Sequence, residues 1–171
     1  MRKVVARKIA QYLCEYRNKI QLVLFIAYCL FIVYYTVLSR ESSAEHQIEL
    51  RFMWAYREML TGHLEWKEDV GYNLKNILFF VPFGFLFPKK DSIPTWFKNR
   101  RWLLILCAGM LLSIFVELTQ YIFCLGLCEL DDVVCNGLGA VIGHGLFRCI
   151  MLFVMKYKDL KDKTSIKELD E

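Results

Sequence analysis

The first candidate for chemistry is an acidic residue inside a long apolar stretch of the sequence. Glu117 is the only charged side chain between residues 102 and 125. A carboxylate near the centre of a bilayer costs up to about 3 kcal/mol, so it requires polar neighbours. Ser113 and Gln120 lie four residues before and three residues after Glu117, which places the three on one helix face. The spacing predicts that this face contacts protein or water rather than lipid.

A second group of polar residues opens the next apolar stretch. It begins with three carboxylates, those of Glu129, Asp131 and Asp132. Spacings of four, three and four residues then place Asp132 on one helix face with three later residues, Asn136, Gly139 and Gly143. Glycines on such a face allow another helix to approach closely. We therefore expect this face to pack against a neighbouring helix.

Two asparagines, Asn73 and Asn76, open a shorter apolar stretch that also contains Pro82 and Gly84. We predict a membrane helix over residues 74–88, with Gly84 at a packing contact. A re-entrant hairpin is the alternative, because the stretch is short and the proline removes a backbone donor.

Several of these residues also have a purely structural interpretation. Asn73, Asp131 and Asp132 are residue types that cap helix N-termini, and the carboxylates suit the positive end of the helix dipole. His144 is either a proton carrier or a histidine bonded to a neighbouring helix. Helix caps alone would therefore account for part of the polar pattern.

The distribution of charge identifies the elements that position these residues. The chain has 171 residues, of which 56% are hydrophobic, and 22 Lys or Arg with 18 Asp or Glu. Only two of these charges, Glu117 and Arg148, fall within four apolar segments, which cover residues 21–38, 76–88, 102–125 and 133–155. This segregation excludes a single soluble domain and a disordered chain. It predicts an all-α, polytopic membrane protein with four transmembrane helices, over about 21–38, 74–88, 102–125 and 133–155.

The flanking segments complete the predicted organisation. Residues 1–20 form a basic, amphipathic cytoplasmic segment, residues 21–155 a four-helix membrane domain, and residues 156–171 a charged cytoplasmic tail. Apolar residues from Ile48 to Met59 recur at helical spacing, so we also expect an amphipathic helix in the first outer loop.

Lys and Arg are concentrated in alternate segments, which predicts the orientation of the chain. Segments 1–20, 89–101 and 156–171 are rich in these residues, whereas segment 126–132 has none. Under the positive-inside rule both termini are cytoplasmic, and loops 39–75 and 126–132 face outward. The polar residues then meet at the outer side of the membrane, in a site of net acidic charge.

Three of these polar motifs, in the order in which they occur along the chain, resemble those of the VanZ-like family. The resemblance covers the run from Asn73 to Phe85, the pattern Ser113-x-x-x-Glu117-x-x-Gln120, and the run from Leu130 to Gly143. It implies a protein of the bacterial cytoplasmic membrane that acts at the cell envelope, with teicoplanin-type antibiotic resistance as the known phenotype of the family. It does not imply a reaction or a cofactor.

The sequence departs from the family pattern at one position. An arginine that the family carries in the outer loop before the aspartate pair is missing, since no Lys or Arg lies between Gln120 and Arg148. We expect a cation from loop 39–75, such as Arg57, Lys67 or Lys75, to take its place.

Three classes of function remain open at this stage. The first is binding or modulation of membrane lipids, a lipid-linked envelope precursor or an amphiphilic antibiotic by the polar cluster. The second is an enzyme that acts on a lipid-linked substrate, with Glu117 as general base and a divalent cation at Asp131 and Asp132. The third is a proton-coupled transporter that uses Glu117 and His144 and requires oligomerisation. We expect no cofactor and no nucleic-acid partner.

Overall fold

The computed structural model describes residues 2–42, 45–54, 57, 60–61, 66–88 and 100–167. The chain is mostly helical, as predicted. In chain order its elements are α1 (Arg2–Val33), a π-helical turn (Tyr34–Leu38), β1 (Gln47–Glu49), α2 (Trp66–Leu86), α3 (Arg101–Ile122), β2 (Leu127–Glu129) and α4 (Leu130–Lys167).

Three helical stretches within the described ranges are long and apolar enough to cross a membrane, namely Glu15–Leu38, Arg101–Ile122 and Leu130–Tyr157. They agree with three of the four predicted spans. The fourth predicted span lies in α2, which has 21 residues and is about 30 Å long. Its N-terminal half carries Lys67, Glu68, Asp69 and Lys75, and α2 is not among the stretches of the described ranges that meet the length and composition of a membrane span.

Contacts between the helices show their relative directions. Gln21 of α1 donates to Leu86 O of α2 at 3.3 Å, and Tyr28 Oη donates to Phe79 O at 2.6 Å, so α1 and α2 are antiparallel. Helices α2 and α4, by contrast, are parallel, because Ile77 contacts Gly139 and Val81 contacts Gly143.

Helix α3 runs antiparallel to α4, since Ser113 bonds Asn136 whereas Gly109 contacts Ala140. The directions therefore alternate along the chain. One end of the bundle, which we call the basic end, carries Arg101 and Arg148. The opposite end, which we call the polar end, carries Asn76, Gln120 and Asp132.

Helices α2 and α4 touch through their backbones. A Cβ atom added to Gly84 would lie 1.7 Å from the carbonyl oxygen of Ala140, and one added to Gly143 would lie 1.9 Å from that of Val81. At Gly139 the distance to the oxygen of Ile77 would be 2.1 Å. No other residue type fits these positions without separating the two helices.

The buried apolar residues lie beside this contact and join all four helices. They are Ile32, Phe80, Phe83, Ile105, Val116 and Ala140. Aromatic rings also pack between α1 and α2, where the ring centroids of Phe25 and Phe83 are 5.0 Å apart. This packing fixes how the polar ends of the helices meet.

The sequence did not predict strands β1 and β2, which form a short parallel sheet in the otherwise helical chain. Ile48 pairs with Cys128, and Glu49 pairs with Glu129. Three-residue strands carry little periodic signal, and their pairing depends on residues far apart in the chain.

The amphipathic helix predicted from Ile48 does not begin there, because Ile48 lies in β1, and only part of its predicted range is described. Helical hydrogen bonds run from Arg57 N to Met53 O and from Thr61 N to Arg57 O, at 3.1 and 3.2 Å. Residues 55–56 and 58–59 between them lie outside the described part of the chain. At the N-terminus, α1 continues from the basic segment into the membrane span, and the side chains of residues 2–11 are likewise not described.

Candidate functional site

The polar end of the bundle brings α2 and α4 together through a pair of side chains. Asn76 donates from its amide nitrogen to the Asp132 carboxylate. Close backbone contact at the glycines below brings these short side chains within reach of each other. One turn earlier on α2, the buried Asn73 accepts a weak hydrogen bond from the Cys135 thiol, at 3.6 Å.

Glu117 faces protein, with only 4% of its surface exposed. Its Oε2 accepts a hydrogen bond from the backbone nitrogen of Glu129 at 3.0 Å. The Cys128 thiol donates to the same carboxylate. Glu117 therefore holds strand β2 against α3.

Cys128 lies in the turn between two membrane helices, next to this carboxylate. Burial raises the pKa of the Cys128 thiol to about 11, and the negative charges of Glu117 and Asp132 act in the same direction. The thiol is therefore protonated at neutral pH and is a poor nucleophile.

Two further predicted residues of α3 form bonds inside the bundle. Ser113 Oγ accepts from Asn136 Nδ2 at 2.8 Å, and both residues are buried. Gln120 donates to the carbonyl oxygen of Thr36 at 2.8 Å, which ties α3 to the π-helical turn after α1. A π-helical turn leaves backbone carbonyls displaced from the regular α-helical pattern, and here one of them accepts from a side chain.

Asp131 anchors the segment between α1 and α2. Its Oδ1 accepts from the backbone nitrogen of Met53 at 2.8 Å, and the side chain is 4% exposed. Met53 has a φ of 55°, in the left-handed region, where a non-glycine residue needs such external support. Asp131 thus positions the loop rather than the first turn of α4 alone.

A cavity of about 310 Å³ opens at this end of the bundle. Four of the predicted residues line it, namely Asn73, Asn76, Glu129 and Asp132. The other five predicted polar residues do not line it and form bonds elsewhere in the bundle; these are Ser113, Glu117, Gln120, Asp131 and Asn136. The sequence did not predict the remaining lining residues, which are Arg40, Trp54, Tyr72 and Leu127.

Arg40 places a cation at the polar end of the bundle, where the segment between α3 and the aspartate pair has none. It lines the cavity with Asp132 and interacts electrostatically with both Asp132 and Glu117. Its Nη1 donates to Leu125 O at 3.4 Å, and a Cβ added to Gly126 would lie 2.8 Å from the same nitrogen. Gly126 has a φ of 139°, which glycine alone adopts readily.

The other cations proposed for that place have different surroundings. Arg57 does not line this cavity, and Lys75 lines a neighbouring groove instead. The side chain of Lys67 lies outside the described residues. In the sequence, only the position of Arg40, two residues after the first apolar segment, indicated a place near a membrane boundary.

The neighbouring groove lies between α1 and α2 and has a volume of about 600 Å³. Aromatic residues line most of its length, including Tyr28, Phe31, Tyr35 and Phe79. It shares Arg40, Tyr72 and Asn76 with the polar cavity, so the two spaces adjoin. The polar cavity therefore lies beside a groove that is lined mainly by aromatic rings and extends along α1 and α2.

The described residues hold no group of three or more His, Cys, Asp and Glu side chains that is arranged for a metal ion. Asp131 bonds Met53, and Asp132 bonds Asn76, so the two aspartates point to different partners. His144 lies at the basic end, where it lines a separate cavity with Arg101 and Arg148. It is therefore distant from the polar cluster.

Cys124 and His46 come together from distant parts of the chain. The Cys124 sulfur is 3.2 Å from Nδ1 of His46 and 3.6 Å from Nε2. His46 Nδ1 also lies 2.7 Å from the carbonyl oxygen of Tyr121, which can only accept, so this nitrogen carries a proton and is not free to take one from the thiol. This pair does not have the geometry of a thiol and its general base.

A comparison with protein families gives one match. The model of the VanZ/LLP1 family matches residues 25–153, which includes α2, α3, most of α4 and the part of α1 that precedes Arg40. Comparisons with curated proteins and with solved structures give no match. Because the match covers most of the chain, the protein belongs to the VanZ-like family.

Proposed function

We propose that this VanZ-like membrane protein binds or modulates an amphiphilic molecule of the bacterial cell envelope at the polar end of the bundle. The observation that carries this proposal is the junction of the polar cavity with the aromatic groove, through Arg40, Tyr72 and Asn76. A ligand with a polar head and an apolar chain fills two such adjoining spaces at once.

The polar cavity offers both hydrogen-bond donors and acceptors to a head group. Arg40 contributes donors, Glu129 and Asp132 contribute carboxylate acceptors, and the asparagine amides contribute both. Envelope lipids, lipid-linked precursors and lipoglycopeptides of the teicoplanin type all combine such polar groups with an apolar portion. These molecules form the ligand class that we propose.

The function can be tested in cells that express the wild-type chain or single variants. Arg40→Gln and Asp132→Asn change the charge in the cavity, and Arg57→Gln is the control because Arg57 is exposed and does not line it. Teicoplanin susceptibility and envelope-lipid composition are measured in each strain. We expect the wild type and the control to change these profiles alike, and the two cavity variants to lose the change. A wild-type chain that alters neither profile would contradict an envelope role.

We also propose that all four helices cross the cytoplasmic membrane, with both termini in the cytoplasm. The support is the parallel contact of α2 with the apolar helix α4, together with the basic residues near one end of the bundle. The orientation is tested in a variant without native cysteines, by Glu41→Cys and Lys156→Cys. A membrane-impermeant thiol reagent applied to whole cells is expected to label residue 41 but not residue 156, and the reverse result would invert the topology.

A further inference from the structure

The groove between α1 and α2 has a polarity gradient along its length. Arg40 and Lys75 lie at the end next to the polar cavity, whereas Tyr28 lies three turns deeper along α1. Arg40 lies two residues after the end of the membrane span Glu15–Leu38, and Lys75 lines the same groove. We therefore place the two cations at the membrane boundary, with the rings extending towards the membrane interior. A lipid in the adjacent leaflet has this same arrangement of head and chain.

Both cations are held in place by neutral groups. Lys75 Nζ lies over the ring of Tyr72, 4.6 Å from its centroid, and Arg40 donates to the carbonyl oxygen of Leu125. Within the described ranges, neither side chain has a carboxylate within ion-pair distance. Among the residues whose side chains the structure describes, no acidic residue lines the groove, and Glu129 and Asp132 line the polar cavity instead. The described lining of the groove therefore carries two positive charges, and the carboxylates that act on Arg40, those of Asp132 and Glu117, lie outside the groove.

We infer that the groove selects a phospholipid with a negatively charged phosphate head group and a hydroxyl-bearing substituent. This inference rests on the proposed function and narrows its ligand class. The phosphate lies between Arg40 and Lys75, because guanidinium and ammonium groups form strong charge-assisted hydrogen bonds with phosphate oxygens. One chain lies along Phe31, Tyr35 and Phe79. The hydroxyl groups beyond the phosphate reach the acceptors of Asp132 and Glu129 in the polar cavity.

The inference is tested with the purified full-length chain in nanodiscs. The discs contain phosphatidylcholine with a small fraction of phosphatidylglycerol, and native mass spectrometry counts the lipids that remain bound. Phosphatidylglycerol is the probe because it has a net negative charge and a glycerol head group. We expect it to be retained at least tenfold more strongly than phosphatidylcholine, and the preference to disappear in Arg40→Gln and Lys75→Gln.

Two further variants control for general effects on the protein. Leu78→Trp places a large side chain at the exposed lip of the groove, and we expect it to reduce retention of both lipids. Arg57→Gln removes an exposed positive charge outside the groove and is expected to leave the preference unchanged. Glycerol phosphate, which has no chain, is added as a competitor. If it displaces the lipid at equal concentration, the site binds free phosphate compounds and the lipid assignment is wrong.

Failure of this inference is distinguishable from failure of the proposed function. Equal retention of the two lipids, with both reduced by Leu78→Trp, would overturn selection by charge and leave binding of an amphiphile intact. Retention of neither lipid, together with unchanged envelope profiles in cells, would overturn both.

Discussion

The Asn76 amide on α2 and the Asp132 carboxylate on α4 are hydrogen-bonded where these two parallel helices reach the polar end of the bundle. The bond joins two of the three polar motifs that are separated in the sequence. The bond also fixes the position of the Asp132 carboxylate, which is a hydrogen-bond acceptor in the polar cavity that both residues line.

Removing Asn76 leaves a partly buried carboxylate without this donor. We expect Asn76→Ala to lower the free energy of unfolding by about 1–3 kcal/mol, as measured by denaturation in detergent micelles. The double variant Asn76→Asp with Asp132→Asn exchanges the two groups, so that the carboxylate lies on α2 and the amide donor on α4. It is expected to recover most of the lost stability. No recovery would show that the bond itself matters less than the identity of each residue.

Two substitutions of similar size distinguish a structural role of Glu117 from a role that requires its ionisation. Glu117→Gln keeps an oxygen that accepts from the backbone nitrogen of Glu129, so we expect the fold and the envelope phenotype to be retained. Glu117→Leu leaves that nitrogen without its acceptor and is expected to cost about 1–3 kcal/mol of stability. A stable Glu117→Gln protein without activity would instead favour ionisation of Glu117, as required by a general base or proton carrier.

The contact of α2 with α4 tolerates no side chain at Gly84. We expect Gly84→Ala to destabilise the protein by at least about 1–3 kcal/mol, because the methyl group meets the backbone of Ala140. Gly145→Ala is the matched control, since a Cβ there meets no atom within 4 Å. Thermal unfolding in micelles measures both variants. Equal stability of the two would contradict the close backbone contact.

Alkylation of Cys128 reports on the burial and negative charge around it. In a variant that keeps Cys128 as its only cysteine, we expect the alkylation rate to rise up to about pH 11, where the thiol ionises. At pH 8 the thiolate fraction is roughly a hundredfold lower than that of an ordinary thiol. Folding raises the pKa of the Cys128 thiol, so the folded state binds the thiol proton more tightly than the unfolded state does. The contribution of Cys128 to stability is therefore fully present at pH values below the pKa of the unfolded thiol. It is lost as the pH rises towards 11. A pH profile centred near 8.5 would contradict this environment.

Helical spacing was sufficient to identify the polar faces of this protein. Because each turn contains 3.6 residues, the sequence alone placed Glu117 with Ser113 and Gln120, and Asp132 with Asn136 and two glycines. The segregation of charge into loops likewise predicted apolar helices, of which three meet the length and composition of a membrane span among the described residues. The family resemblance, drawn from residues 73–143, is confirmed over the longer range of 25–153.

Only the tertiary structure decided which faces meet and which groups line the cavity. Arg40 reaches the polar end although it lies 85 residues from its bonded partner, Leu125, and Asn76 lies 56 residues from Asp132. Glu117, the most conspicuous residue in the sequence, does not line the cavity and bonds a backbone nitrogen. Local spacing determines the face of a helix, because it depends on the geometry of one helix alone. Helix direction, backbone contact at glycines and strand pairing arise from packing between distant segments, and these determine the site.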